Sequence, residues 1–180
     1  DELIGFYEQE IQGVEGVAPL ELYLKAAEAN WASDRRDVSI EYFQQARRVR
    51  PGDGSVALSL LSALKAEARW LQWYEVASQR LDTLEAQSDD LVRLESELAE
   101  VLLTHIADDA LTVSHFCDRI EKTGNPAYGY HTLNDLEFAP SQWGRLCEST
   151  ISVLSAMDEP AGGDAAVAYA DRSTQSVLEL

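Results

Sequence analysis

The chain has 180 residues, 46% of them hydrophobic and 26% charged, which supplies enough apolar material for a buried core and excludes disorder as its general state. Thirty-two acidic residues against fourteen basic ones leave a formal charge of −18, a field that repels phosphate backbones and anionic headgroups and argues against nucleic acid as a partner. The longest nearly apolar run, 56–64, is interrupted by Ser59 and Ser62 and falls far short of the roughly 20 residues of a membrane span, so no membrane insertion is expected.

The opening segment DELIGFYEQEIQGV reads as an amphipathic helix. Helices follow over 19–31, 37–50, 54–68 and 71–86, with the Pro51-Gly52 pair marking one of the short links. Over 91–106 the residues Leu91, Leu94, Leu98, Leu102 and Ile106 advance by steps of three or four and draw one stripe down a helix. Ser88 and Asp89 are its N-cap candidates, and Asp108-Asp109 breaks the pattern. Further helices are predicted over 110–123, 127–138, 144–157 and 164–180, separated by Gly124-Asn125-Pro126, Pro140 and Pro160-Ala161-Gly162-Gly163. No segment sustains strand alternation, so the fold class is all-α. Links this short make neighbouring helices antiparallel, giving a series of helical hairpins.

The hairpins repeat. RWLQWYEVASQRLDTL, from Arg69, aligns with QWGRLCESTISVLSAM, from Gln142, so that Trp70 meets Trp143, Trp73 meets Leu146 and Leu81 meets Leu154, a constant shift of 73 residues. The N-terminal segment enters the same frame with Leu3 against Trp73, Ile4 against Tyr74 and Ile11 against Leu81. Phe43 and Phe116 match in the helices between. Half the repeat is about 36 residues, the length of one helical hairpin in a stacked array, where each copy covers the apolar face of the next.

The segment DVSIEYFQQARRVRPGD resembles the second helix and exit turn of the tetratricopeptide-like helical repeat family: Ser39, Phe43, Ala46 and Pro51 stand at its small, aromatic, small and proline positions. Tyr23, Ala26 and Ala27 in the preceding helix match its large and small packing positions. In later repeats Phe116 or Cys117 fills the aromatic place and Ile120 replaces the small residue. The Trp that opens every second such helix is similar to degenerate arrays of large bacterial tetratricopeptide-type proteins. The resemblance implies one TPR-like domain over 1–180, a right-handed superhelix of stacked antiparallel hairpins, with first-type helices lining a concave groove for a protein or peptide and no catalytic residues. The chain starts on a second-type helix and stops on a first-type one, so it is expected to be a fragment of a longer array.

Candidates for chemistry are few. Cys117 and Cys147 form no CxxC pair and read as small buried hydrophobes. His105, His115 and His131 have no spacing that would hold a metal from one helix face. Phosphate loops, nucleophile elbows and calcium loops are missing from the sequence, and the carboxylates fit solvated faces and helix N-termini. No enzyme activity, metal or cofactor is therefore expected. Arg35, Arg36, Arg47, Arg48 and Arg50 crowd one hairpin, a positive patch suited either to an acidic partner or to the dipole of a helix C-terminus. Trp70 and Trp143 are expected in the core between hairpins.

The reading that follows is a non-catalytic interaction scaffold that holds a protein or peptide on its first-type helices. The expected contact residues are Asn30, Ser59, Ser62, Lys65, Tyr128, Tyr130, His131 and Asn134. The alternative is a structural spacer or assembly segment of a larger multidomain protein. The N-terminus has no basic-then-apolar signal layout, which leaves the cytoplasm as the default compartment.

Overall fold

The computed structural model describes residues 2–85, 88–125 and 140–155. Among the described residues there are eight α-helices, one π-helical turn and no strand, so the chain is all-α as expected. It divides into two compact units, Asp1–Val101 and Leu102–Leu180.

The first unit contains α1 (Glu2–Gly13), α2 (Leu20–Ala32), α3 (Arg36–Val49), α4 (Gly54–Ala66), α5 (Trp70–Leu81) and α6 (Asp89–Val101). Its substantial helix pairings join chain neighbours, from α1 with α2 through to α5 with α6. The hairpin of α2 and α3 shows why. Ala26, Ala27 and Asn30 on one helix face Ser39, Ile40, Phe43 and Ala46 on the other, all of them buried. Small side chains let the two backbones approach, and the Ser39 hydroxyl donates to the Ala27 carbonyl at 2.7 Å. Of these helices α4 buries the most apolar residues: Val56, Ala57, Leu60, Leu61, Ala63 and Leu64.

Two of these helices end in the same way. At the end of α2 the Arg35 N–H donates to the Asn30 carbonyl at 2.9 Å across Asp34, whose φ is 61°. At the end of α4 the Arg69 N–H donates to the Leu64 carbonyl at 2.9 Å across Ala68, whose φ is 51°. This closure satisfies a carbonyl that would otherwise be orphaned and turns the chain directly into the next helix. The return turn from α3 to α4 uses Pro51-Gly52, after which the Asp53 carboxylate caps α4 by accepting from the Ser55 and Val56 N–H groups.

Polar contacts also tie α3 to α5 and α4 to α6. The Asp37 carboxylate pairs with Arg69, the Lys65 ammonium pairs with Glu97, and Arg47 Nη2 donates to Gln79 Oε1 at 2.6 Å; each joins residues 32 apart.

Two expectations shift in register. Leu3 does not take the buried place of Trp73: it is 59% exposed, while Ile4 is 3% exposed. The α1 helix packs mainly on α2, with Glu8 reaching Arg35 at 3.5 Å, and buries Ile4 while Ile11 and Val14 are half-buried, a narrow face that need not follow the frame of α3 and α5. Trp70 is half-buried, and Trp73, one turn further on, is the core indole at 1% exposed.

The second unit contains the π-helical turn Leu102–Ile106, α7 (Asp109–Thr123) and α8 (Pro140–Ser155). The helix expected over 91–106 is thus α-helical only to Val101. Three consecutive steps of four rotate a stripe by about 40° each around a helix of 3.6 residues per turn. The wider π turn takes up that drift after Leu98 and Leu102, both fully buried. Asp108 caps α7 by accepting from the Leu111 N–H at 2.9 Å, and Gly124 closes it at φ 62°, a left-handed geometry that glycine adopts without strain.

On α7 and α8 the burial pattern of α3 and α5 recurs in part at the 73-residue shift. Thr112, Val113, Phe116 and Arg119 are buried as Ser39, Ile40, Phe43 and Ala46 are, and Leu146, Ser149 and Thr150 as Trp73, Val76 and Ala77 are. Trp143 is 1% exposed, as expected for a core indole. The helices predicted over 127–138 and 164–180 lie outside the described residues.

Candidate functional site: a groove between α4 and α6

Leu58, Leu61, Ser62 and Lys65 occupy positions i, i+3, i+4 and i+7 of α4, which places them on one face. Asp90, Arg93, Leu94 and Glu97 occupy the same four positions of α6. Each residue of the first set has its counterpart 32 residues later, the separation that the Lys65–Glu97 ion pair spans. The two faces line a groove of 370 Å³, with Trp73 and Arg80 of α5 completing its lining.

Buried Leu61, Trp73 and Leu94 supply an apolar floor, and Leu58, 56% exposed, supplies an apolar edge. The rim is charged. Lys65 and Glu97 join the two helices across the groove. Arg80 and Arg93 have no carboxylate within ion-pair distance among the described residues, and Asp90 lies on the same rim. Such a lining can hold an amphipathic segment, with apolar side chains against the floor and charged ones at the rim. Among the described residues no histidine or cysteine lines it, and Ser62 is its one hydroxyl.

Ser62 and Lys65 are the expected contact residues that the structure brings together. Ser59 is exposed on α4 but lies outside the groove lining. Asn30 is fully buried in the α2–α3 hairpin, where its Nδ2 donates to the Ala26 carbonyl at 2.8 Å. Tyr128, Tyr130, His131 and Asn134 lie outside the described residues. The α6 half of the groove went unrecognised in the sequence, although the matching i, i+3, i+4, i+7 sets on α4 and α6 were there to be found.

Elsewhere, burial pushes both thiols above their ordinary range: Cys117 is buried against α8 and Cys147 is half-buried. A raised thiol stays protonated near neutral pH, which suits a packing role. Among the described residues, no group of three His, Cys, Asp or Glu side chains converges as a metal site would, and no helix is long and apolar enough to cross a membrane. Comparison with protein-family models, curated proteins and solved structures gives no match to this chain.

Proposed function

We propose that this chain is a non-catalytic interaction scaffold whose hairpins stack as a TPR-like right-handed superhelix, and that the α4–α6 groove holds an amphipathic peptide segment of a protein partner. The observation that carries the reading is the pair of matching faces on α4 and α6, which set an apolar floor between charged rims. The shared closure of α2 and α4, and the burial pattern recurring at a 73-residue shift, support the stacked-repeat part.

Selection of 12-residue peptides from a random library on the immobilised chain tests it. The expected binders alternate apolar and charged residues at helical or extended spacing, and lose at least tenfold in affinity to Leu58→Glu and to Lys65→Glu. Leu58 and Lys65 are both exposed, so these substitutions leave the core intact. Selected peptides that bind both variants as tightly as the parent would place the contact elsewhere and remove the groove reading.

A further inference from the structure

The five arginines crowded into 35–50 separate into two groups in the fold. Arg35 pairs with Glu8 at 3.5 Å, Arg36 with Asp34 at 2.9 Å, and Arg50 with Asp53 at 3.4 Å. Arg47 and Arg48 pair with no carboxylate among the described residues. They line a cleft of 390 Å³ between the second-type helices α3 and α5, which adjoins a second cleft of 240 Å³ where Arg47 meets Arg80. Three guanidinium groups thus gather with no carboxylate in ion-pair distance among the described residues, in a molecule whose acids outnumber its bases 32 to 14.

Arg47 and Arg80 are half-buried, so each has lost part of its water. Arg47 donates to the neutral Gln79 amide oxygen, which leaves most of its donors open to a ligand. Arg80 rests on the N-terminal backbone of α4: a β-carbon at Gly54 would stand 2.8 Å from its Nη1. That helix end is already capped by the Asp53 carboxylate, so the attraction for an anion rests on the guanidinium groups themselves. Two acids border the clefts. The Asp53 carboxylate is committed to the Ser55 and Val56 N–H groups and the Ser55 hydroxyl, and Glu75 is exposed on α5 with no ion pair among the described residues.

We propose that the Arg47, Arg48 and Arg80 cleft is a docking surface for a carboxylate-rich peptide segment of a protein partner, separate from the α4–α6 groove. Planar guanidinium forks match carboxylates in pairs, and the two adjoining cavities give room for a few acidic side chains in succession. The formal charge of −18 opposes a long polyphosphate strand while leaving this local cationic spot accessible to a short acidic segment.

Fluorescence anisotropy with a labelled hexaglutamate peptide on the full chain, at about 50 mM salt where charge interactions reach furthest, tests the proposal. The expected result is saturable binding that weakens at least tenfold in Arg47→Gln/Arg48→Gln and stays unchanged in Lys25→Gln, an exposed lysine on α2 remote in sequence from the cleft. Gly54→Ala, which displaces the Arg80 guanidinium, is expected to weaken it as well. Because Arg80 also lines the α4–α6 groove, Arg47 and Arg48 report on the cleft and Lys65→Glu on the groove, so either reading can fail alone. Circular dichroism spectra matching the parent confirm that the variants are folded; should Arg47→Gln/Arg48→Gln be misfolded, Arg48→Gln alone, at an exposed site, carries the test. Equal affinity of folded Arg47→Gln/Arg48→Gln and parent, hexaserine binding as well as hexaglutamate, inorganic phosphate displacing the peptide at equal ionic strength, or hexathymidylate binding tighter through the same arginines would each overturn the proposal.

Discussion

Trp70 and Trp73 stand one turn apart on α5 and have different surroundings. Side chains on a helix lean toward its N-terminus, so the indole of Trp70, the first residue of α5, overhangs the helix end and stays half-exposed. Trp73 points back over the first turn and is enclosed at 1% exposed. Trp73→Ala should therefore lower the free energy of unfolding by about 3–5 kcal/mol, the usual range for a fully buried aromatic. Trp70→Ala should cost only about 1–2 kcal/mol, in line with a partly buried side chain. Urea unfolding followed by circular dichroism at 222 nm separates the two, and equal losses would show that Trp70 is as structural as Trp73. The sequence showed that an indole anchors this helix, but the choice between two tryptophans depends on where the helix begins. Asn30 teaches the converse: its polarity suggested a contact residue, while its place one turn after Ala26 and Ala27 put it in the hairpin interface.

At the scale of the element, the helix ends were the least legible part. Sequence signals for a left-handed closing residue are Gly and Asn, yet α2 and α4 close on Asp34 and Ala68. Asp tolerates that conformation, and the Asp34 carboxylate gains Arg36 Nε at 2.9 Å; alanine has no such compensation. Ala68→Gly should raise stability by about 0.5–1 kcal/mol, since relief of the left-handed strain exceeds glycine's greater freedom in the unfolded chain. Asp34→Gly should gain less. Thermal unfolding of the two variants beside the parent measures the difference, and a loss of stability in Ala68→Gly would mean that the strain at φ 51° is negligible. The positions of the helices were readable because an apolar stripe at 3.6-residue spacing leaves one solution, whereas the π turn at Leu102–Ile106 needed the steps of four to be read as drift. The groove was half readable for a related reason: periodicity identifies Ser62 and Lys65 on α4, but pairing them with Leu94 and Glu97 requires the lateral offset of 32, which packing of side-by-side helices sets and the sequence repeat of about 36 does not.

For the whole molecule, two electrostatic effects oppose each other. The ion pairs, such as Lys65–Glu97, Arg69–Asp37 and Arg35–Glu8, each include a side chain at least a third exposed, and pairs of that kind contribute about 0–1 kcal/mol apiece. Against them stands the mutual repulsion of an excess of 18 negative charges on a chain of 180 residues, which acts over longer distances. Added salt weakens both, but it shortens the screening length from about 10 Å at 0.1 M to about 3 Å at 1 M, and so removes the long-range repulsion first while contact pairs keep part of their attraction. Raising sodium chloride from about 0.05 M to about 0.5 M should accordingly stabilise the fold by about 1 kcal/mol, an upward shift in melting temperature of about 2–4 °C. Potassium chloride should act equally, because the effect is screening rather than ion binding. A melting temperature that falls with salt would mean that the ion pairs joining α3 to α5 and α4 to α6 outweigh the repulsion, and that they hold the first unit together to a degree their exposure does not suggest.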